Sequence, residues 1–258
     1  MISPLPVKSV ATLTEADLDS ELARMYSRFK FGALDAIEFF SSALTKLIQA
    51  DQAARAGTWQ MTHVPTQMQE SGIHFLTELL AHEFHLPSFE LIKVISSYWY
   101  HAKLKVERQR LATGSFQYRG PALTNETVAL LDDVCVTGTI LTECMRVLIA
   151  AGAGSVQPYT LINLNAVDPR NEAYLNLAAY RHGGLNEIIT IFNDPTTQPT
   201  NFWLAFFTQL SPTQLKMARS QLKSKAQDWI QSKLMAFPQT PVVEAIMARG
   251  WIREEATG

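Results

Sequence analysis

Residues 128–141 read Val-Ala-Leu-Leu-Asp-Asp-Val-Cys-Val-Thr-Gly-Thr-Ile-Leu. The four residues from Val128 to Leu131 are all apolar, which is typical of a strand buried on both faces of a parallel sheet. Two acids, Asp132 and Asp133, follow directly. Open α/β sheets bind their ligands at the carboxyl ends of such central strands. The stretch therefore predicts an α/β fold with a ligand site at this edge of the sheet.

Residues 137–148 predict a turn that leads into an amphipathic helix. The apolar stripe of this helix consists of Ile140, Leu141, Met145, Leu148 and Ile149. Gly138 permits close backbone approach, and the free N–H groups at a helix start suit a phosphate. Thr137 and Thr139 add hydroxyl donors. Because two carboxylates would repel a nearby phosphate, they must face another group, such as sugar hydroxyls or a divalent cation. A sugar phosphate meets both requirements.

The two acids also have a simpler interpretation. The helix dipole favours negative charge at its N-terminus, so Asp132 and Asp133 are equally explained as solvated residues near a helix start. An isolated Asp-Asp pair is most often of that kind. Here a buried strand precedes the pair and a Thr-Gly-Thr turn follows it. That combination favours a sugar-phosphate site over ordinary solvation.

With these features the stretch resembles the phosphoribosyl pyrophosphate (PRPP) motif of type I phosphoribosyltransferases, in which an apolar strand leads into two acids and a short Thr/Gly loop. The resemblance implies a parallel α/β core flanked by helices. It also implies that Asp132 and Asp133 bind the ribose 2′- and 3′-hydroxyls and that the loop binds the 5′-phosphate. The loop consists of Val136, Thr137, Gly138, Thr139 and Ile140.

Two residues of the loop depart from that motif. The family often has Ser or Thr where Ile140 stands, so one phosphate-binding hydroxyl is missing in this chain. Some purine enzymes of the family have an acid, a proposed proton acceptor, where Val136 stands. The Val136 departure argues against a purine-salvage mechanism of that type.

The resembled family carries three elements in a fixed order, and candidates for all three occur here in that order. His63, Val64, Pro65 and Thr66 match the place of the pyrophosphate loop in that order. A mobile basic hood follows at residues 98–119, and its candidate catalytic cations are Lys103, Lys105, Arg108 and Arg110. Taken alone, a histidine is more often structural, and a basic stretch is more often a solvated loop. The shared order is what favours the site.

The resemblance implies a Mg²⁺-dependent transferase that moves phosphoribose between PRPP and an unidentified base-like acceptor, with pyrophosphate as the leaving group. Charge develops on pyrophosphate and is neutralised by Mg²⁺ and the hood cations. Because Mg²⁺ keeps several of its waters, we expect it to arrive with PRPP and to touch Asp132 or Asp133 only through water or substrate. The alternative is a non-catalytic regulatory protein that binds PRPP or a nucleotide, which Val136 and Ile140 motivate.

Two further strings widen the resemblance. They are similar to segments of phosphoribosyltransferase-like proteins of bacterial tellurium-resistance and stress gene clusters. The strings are Tyr-Ser-Arg-Phe-Lys-Phe-Gly at residues 26–32 and Thr-His-Val-Pro-Thr at residues 62–66. With the core and the helical tail, this likeness covers most of the chain. It implies no particular substrate.

Composition narrows the choice of partners. A net charge of −2 gives no overall attraction to nucleic acid or to an anionic membrane. Two cysteines, Cys135 and Cys144, form no disulfide framework and favour a reducing compartment. The sequence shows no signal-peptide pattern and no apolar run that could span a bilayer. We therefore expect a cytoplasmic protein that binds small molecules. A homodimer is compatible with the resembled family, in which oligomers are common.

The chain divides into three predicted parts. Residues 1–50 are expected to be an N-terminal helical segment that packs on the core, with helices on both sides of Gly32. Residues 51–168 alternate strands and helices and form the α/β core. Residues 169–258 form a helical C-terminal extension. An apolar helix stripe such as the one in this extension more often packs in the core than forms a partner-binding face. Its residues are Phe202, Trp203, Phe206, Phe207 and Leu210.

Overall fold

The structure is a computed structural model of the 258-residue chain. It describes residues 5–66, 70–94, 112–165, 168, 170–236, 241–248 and 251. In chain order, the strands of these residues are β1 (Lys8–Leu13), β2 (Trp59–His63), β3 (Ile92–Lys93), β4 (Phe116–Gln117), β5 (Thr127–Cys135) and β6 (Ser155–Leu164).

Most helices of the described residues come before β2 or after β6 in the chain. They are α1 (Glu21–Lys30), α2 (Leu34–Ala54), α3 (Gly72–Glu83), α4 (Thr139–Ala150), α5 (Asn171–Asn176), α6 (Ala178–Asn193), α7 (Phe202–Phe207), α8 (Pro212–Gln221), α9 (Ser224–Ala236) and α10 (Pro241–Ala248). None of these described helices combines the length and apolar character needed to cross a membrane.

The central sheet has four parallel strands in the order β1-β6-β5-β2, and β3 pairs with β4 in a separate antiparallel ladder. Val128 to Leu131 of β5 are completely buried. Ala129 and Leu131 pack into one apolar cluster, whereas Val128 and Leu130 pack into a second cluster with α4. Successive side chains of a strand point to opposite faces, so both faces of β5 are covered. The predicted parallel α/β fold flanked by helices is confirmed.

Strand β5 is longer than the apolar run predicted. It continues through the two acids to Cys135, because β6 is long enough to pair with it as far as Asn163. On the other side, β2 pairs only as far as His63, opposite Leu131. The last bond there runs from the Val64 N–H to the Leu131 carbonyl, at 2.8 Å. Beyond this point β5 has a neighbour on one side only, and a crevice opens.

The N-terminal part contains a strand that the sequence prediction missed. Residues 1–50 were expected to be helical, but Lys8–Leu13 forms β1 and pairs in parallel with β6. Most of its side chains are only half-buried because β1 lies at the edge of the sheet. Its apolar alternation is therefore weak. The division at residues 50 and 168 stays a prediction.

The C-terminal helices share the large apolar cluster of the sheet. Trp203, Phe206, Phe207 and Leu210 are each at most 3% exposed, so these residues belong to the core. The Trp203 ring stacks on Phe192 with centroids 3.7 Å apart. Burial of several large aromatic side chains stabilises such a cluster by about several kcal/mol. The extension is therefore packed against the rest of the molecule through its aromatic residues.

Three hydrogen bonds fasten residues 30–32 to residues 198–203, and we call this contact the latch. The Gln198 N–H donates to the Gly32 carbonyl at 2.9 Å. The Thr200 hydroxyl donates to the Lys30 carbonyl at 2.5 Å. The indole of Trp203 donates to the Phe31 carbonyl at 2.8 Å. The latch thus ties the end of α1 to the C-terminal extension.

We expect Gly32→Ala to destabilise the protein strongly. Gly32 has φ +80°, and a Cβ there would lie 1.8 Å from the Gln198 carbonyl oxygen. The left-handed backbone and the clash together should lower the free energy of unfolding by about 3 kcal/mol, measured by urea denaturation. Gly114→Ala is a matched control, since Gly114 has φ +75° with nothing within 4 Å. It should cost about 1 kcal/mol, and equal losses would contradict the role of the latch.

Candidate functional site

A cleft of about 290 Å³ lies at the carboxyl ends of β2 and β5, where the crevice opens. The lining residues from the end of β5 and the start of α4 are Asp132, Asp133, Val134, Cys135, Val136, Thr137, Gly138, Thr139, Ile140 and Leu141. The other lining residues are Lys30, Val64, Pro65, Thr66, Glu70, Ser71, Gly72, Lys93, Glu172, Thr200, Asn201 and Phe202. Residues of α1, α5 and the start of α7 therefore meet β5 and the start of α4 in one cleft.

The two motif acids are held differently. The Asp133 backbone N–H donates to Asp132 Oδ1 at 2.9 Å, which fixes the Asp132 carboxyl within the strand. Burial, and next the charge of Asp133, raise the pKa of Asp132 well above its usual range. Two neighbouring carboxylates with little water around them resist being charged together. Of the two carboxyl groups, Asp132 is therefore the one that binds a proton more readily.

Asp133 forms an ion pair with Lys30 at the end of α1. The two side chains are 14% and 21% exposed, respectively. Burial alone lowers the pKa of Lys30, but the attraction of Asp133 and the hydrogen bond to it reverse that effect, and the net pKa is raised. Lys30 is therefore a charged ammonium group in the cleft. The sequence analysis quoted residues 26–32 for their resemblance but did not identify Lys30 as a site residue.

The predicted phosphate loop stands at the start of α4. Gly138 is the N-cap residue, with φ 67° in the left-handed region. A Cβ on it would meet only Cys135 Sγ, at 3.8 Å, so glycine is needed for the backbone conformation and not for close packing. The hydroxyls of Thr137 and Thr139 lie 2.9 Å apart. The first N–H groups of a helix lack intrahelical acceptors, so this turn offers donors to an anion.

The predicted pyrophosphate loop is divided between the cleft and its surroundings. Val64, Pro65 and Thr66 line the cleft, whereas His63 does not. The His63 ring lies beside His74, with centroids 5.2 Å apart. Burial, and then the neighbouring His74, lower the pKa of His63 to about 4. Within the described residues, His63 Nδ1 has no hydrogen-bond partner. His63 is thus a buried neutral imidazole beside the site.

Several cleft residues were missed by the sequence analysis because they lie on elements far apart in sequence. Glu172 of α5 is 6% exposed, and Asn201 before α7 is 8% exposed. Lys93 of β3 faces the same cleft, and burial lowers its pKa although the charges of Cys144 and Asp132 oppose this. No local motif marks these positions. The predicted hood cations Lys103, Lys105, Arg108 and Arg110 lie outside the described residues.

The cleft offers oxygen donors but no metal cage. Among the residues that the structure describes, no group of three His, Cys, Asp or Glu side chains is arranged to hold a metal ion. Mg²⁺ prefers oxygen ligands and keeps waters. Asp132 offers such oxygens, whereas Asp133 is engaged by Lys30. This donor set fits Mg²⁺ that arrives with a phosphate-bearing ligand better than a resident metal.

The Lys30–Asp133 pair gives a stability prediction. Lys30→Met leaves a carboxylate without its partner, and we expect the free energy of unfolding at pH 7 to fall by about 2 kcal/mol. Lys30→Met/Asp133→Asn should recover about half of that loss, because the unpaired charge is removed. Lys46→Met on the exposed face of α2 is the control and should change stability by less than about 0.5 kcal/mol. Additive losses in the double variant would contradict a direct pair.

His63 gives a pH prediction. Its pKa is about 4 in the folded protein, against an ordinary 6.5, so unfolding takes up a proton between these values. The stability that neutral His63 contributes is complete above pH 6.5 and is lost as the pH falls toward 4. We expect this loss to reach about 3 kcal/mol. Urea denaturation of His63→Gln should show a correspondingly flatter pH profile. His82→Gln, at an exposed histidine, should keep the profile of the unchanged protein.

Comparison with known proteins was made by sequence and by structure. No protein-family model matches the chain, and no curated protein matches it by sequence. A hypoxanthine phosphoribosyltransferase from Staphylococcus aureus aligns with 49% of this chain at 14% identity, with a TM-score of 0.35. The same enzyme from Trypanosoma cruzi aligns with 55% at 11% identity and a TM-score of 0.34. A hypothetical protein from Neisseria gonorrhoeae with bound ppGpp aligns with 57% at 14% identity and a TM-score of 0.31.

These alignments cover 62%, 66% and 94% of the three neighbours, respectively, so the chain spans less than two thirds of each phosphoribosyltransferase. All three TM-scores are below 0.5. The parallel α/β fold predicted from residues 128–141 is confirmed by the strand pairing itself. At these identities the likeness concerns the fold alone.

Proposed function

We propose that the cleft binds the ribose 5-phosphate part of PRPP and that the protein is a phosphoribosyltransferase. It transfers phosphoribose to or from a base-like acceptor, with pyrophosphate as the leaving group. One observation carries this proposal. A single cleft joins the paired acids Asp132 and Asp133, the donor-rich turn at residues 137–141 and the loop at residues 64–66.

Each part of the sugar phosphate has a matching part of the cleft. The carboxyl groups of Asp132 and Asp133 accept hydrogen bonds from the ribose 2′- and 3′-hydroxyls. The 5′-phosphate accepts from the N–H groups at the start of α4 and from the hydroxyls of Thr137 and Thr139. Lys30 offsets the charge of Asp133, which lowers the repulsion between the acids and the phosphate.

In this proposal, pyrophosphate contacts residues other than Asp132 and Asp133. Val64, Pro65 and Thr66 border the cleft where β2 ends, which suits a loop that binds pyrophosphate. In the proposal, the hood cations close over the site, exclude water and neutralise the charge that develops on pyrophosphate. They are Lys103, Lys105, Arg108 and Arg110. Mg²⁺ supplies further charge neutralisation when it arrives with PRPP.

A second candidate function is a regulatory protein that binds PRPP or a nucleotide without turnover. The apolar side chains of Val136 and Ile140 line the cleft inside the phosphate loop. Neither offers a hydrogen bond or a proton-accepting group at its position. A site that keeps the sugar-binding acids but lacks these polar groups is consistent with binding that does not lead to reaction.

Calorimetric titration with ribose 5-phosphate, and separately with PRPP and Mg²⁺, tests the binding proposal. Asp132→Asn/Asp133→Asn should weaken both ligands about 100-fold, because the hydrogen bond from a ribose hydroxyl to the charged Asp133 carboxylate contributes about 1.5–3 kcal/mol and is lost. Asp228→Asn, at an exposed acid of α9, is the matched control and should leave both affinities unchanged. Equal affinities in the unchanged protein and a folded double variant would overturn the proposal.

A pyrophosphate-release assay separates the two candidate functions. The protein is incubated with PRPP, Mg²⁺ and a panel of nitrogenous bases, and released pyrophosphate is measured. Release that requires one base, and that Asp132→Asn/Asp133→Asn abolishes, supports the transferase. Tight binding of PRPP with no release for any base supports the regulatory protein.

A further inference from the structure

Lys30 and Lys93 both line the cleft, but their amines have different surroundings. The Lys30 ammonium forms an ion pair with Asp133. Within the part of the chain that the structure describes, no hydrogen bond or ion pair engages the amine of Lys93. The proposed function assigns no role to this residue. Lys93 is therefore an amine without a counter-ion in a cleft that suits a sugar phosphate.

The position of Lys93 is fixed by buried neighbours. Its partner across the β3–β4 ladder is Phe116, and the next backbone bond runs from the Val94 N–H to the Ser115 carbonyl at 2.8 Å. Side chains directly opposite each other in an antiparallel ladder lie on the same face. Phe116 is 4% exposed and packs in the apolar cluster that contains α4, so the stem of Lys93 lies beside apolar side chains. The amine at the end of this stem reaches the cleft.

Strand β5 presents its two acids to opposite faces of the sheet, because successive side chains of a strand alternate in direction. Asp132 shares its face with Leu130, which packs in the cluster that contains α4. Asp133 points the other way and meets Lys30 of α1. Asp132 therefore lies on the side of the sheet that carries α4 and Lys93.

The surroundings of Lys93 favour its uncharged form. Burial has the largest effect and lowers the pKa of Lys93, and the charges of Cys144 and Asp132 oppose this effect without reversing it. Neither group is a firm counter-ion, because burial raises the pKa of both Cys144 and Asp132 well above the usual range. An amine kept from water and without a charged partner loses its proton more readily. The uncharged amine is the nucleophilic form of lysine.

The proposed binding mode brings a reactive carbon to this part of the cleft. With the 5′-phosphate at the start of α4 and the 2′- and 3′-hydroxyls at the two acids, C1 lies beside the acids because it is bonded to C2. In PRPP, C1 is bonded to pyrophosphate. In ribose 5-phosphate, C1 carries a free hydroxyl, so a minor fraction of the sugar opens to an aldehyde. Aldehydes condense with uncharged amines to form imines.

From this arrangement we propose, resting on the proposed binding of ribose 5-phosphate, that Lys93 is a nucleophile that captures the aldehyde of an open-chain aldose phosphate as an imine. The amine donates its electron pair to C1, the carbonyl π electrons move to the oxygen, and that oxygen takes up a proton from the nitrogen. Asp132 gives its proton to the resulting hydroxyl group, which leaves as water. The nitrogen then loses its second proton to the Asp132 carboxylate. Amine and aldehyde thus give imine and water, with no oxidant or reductant.

Reductive trapping tests this proposal. The protein is incubated with ribose 5-phosphate and sodium cyanoborohydride, which reduces an imine to a stable secondary amine, and the adduct is located by peptide mass spectrometry. We expect a single adduct, at Lys93, that forms faster than adducts at exposed lysines such as Lys46. PRPP, whose C1 is occupied, and ribitol 5-phosphate, which has no aldehyde, should give none. Adducts spread evenly over exposed lysines would overturn the proposal as non-specific glycation.

Three variants identify the reacting groups. Lys93→Arg keeps a positive charge but has no primary amine, so the adduct should disappear. Lys46→Arg, at an exposed lysine of α2, is the matched control and should keep the rate of trapping. Asp132→Asn removes the acid and should slow trapping at saturating sugar about 100-fold. An unchanged rate in folded Asp132→Asn would overturn the role of its carboxyl.

Failure of the imine and failure of the proposed function give different results. Calorimetric binding of ribose 5-phosphate without an adduct at Lys93 overturns the imine alone. Acetaldehyde needs no sugar site, so its preferential adduct at Lys93 in a protein that binds no ribose 5-phosphate overturns the proposed function and keeps the reactive lysine. No preference for Lys93 with either aldehyde overturns the imine. Adducts are mapped on the unchanged protein, and thermal unfolding of each variant confirms that it is folded.

Discussion

The difference in length between neighbouring strands is the constraint on which the site depends. Strand β2 stops pairing opposite Leu131, whereas β6 supports β5 as far as Cys135. The backbone of Asp132 and Asp133 is therefore held rigidly in a strand while one side of that strand is open. A binding site needs both properties, since a rigid element places polar groups accurately and an open edge gives a ligand access to them.

Two adjacent, partly buried carboxylates repel each other, and neighbouring residues reduce that repulsion. Lys30 neutralises Asp133, and burial with the charge of Asp133 raises the pKa of Asp132. Lys30 itself stays in position because α1 ends at that point and its carbonyl accepts from Thr200. The electrostatics of β5 thus depend on the N-terminal helices, and these depend on the C-terminal extension. Strand β5, the end of α1 and the segment around Thr200 are therefore coupled at the cleft.

The sequence predicts the features that neighbouring residues determine together. The stretch from Val128 to Leu141 contains a buried strand, its acids and a helix start within fourteen positions, and all of these appear in the structure. Lys30, Glu172 and Phe202 meet in the cleft although they lie on three different helices, and Lys30 is more than a hundred residues away from the other two in the sequence. Their proximity depends on tertiary packing, which no local pattern encodes. Strand β1 was missed for a related reason, because an edge strand buries too little of each side chain to show a clear alternation.

This contrast between local and distant determinants separates the two halves of the cleft. One half comes mainly from consecutive residues of β5 and α4, so a local sequence pattern marks it. The other half contains Lys30, Glu172 and Phe202, which come from α1, α5 and the start of α7, so no local pattern marks it. The segment after β6 contributes both to the cleft and to the core, because Phe202 lines the cleft while Trp203, the next residue, packs in the interior.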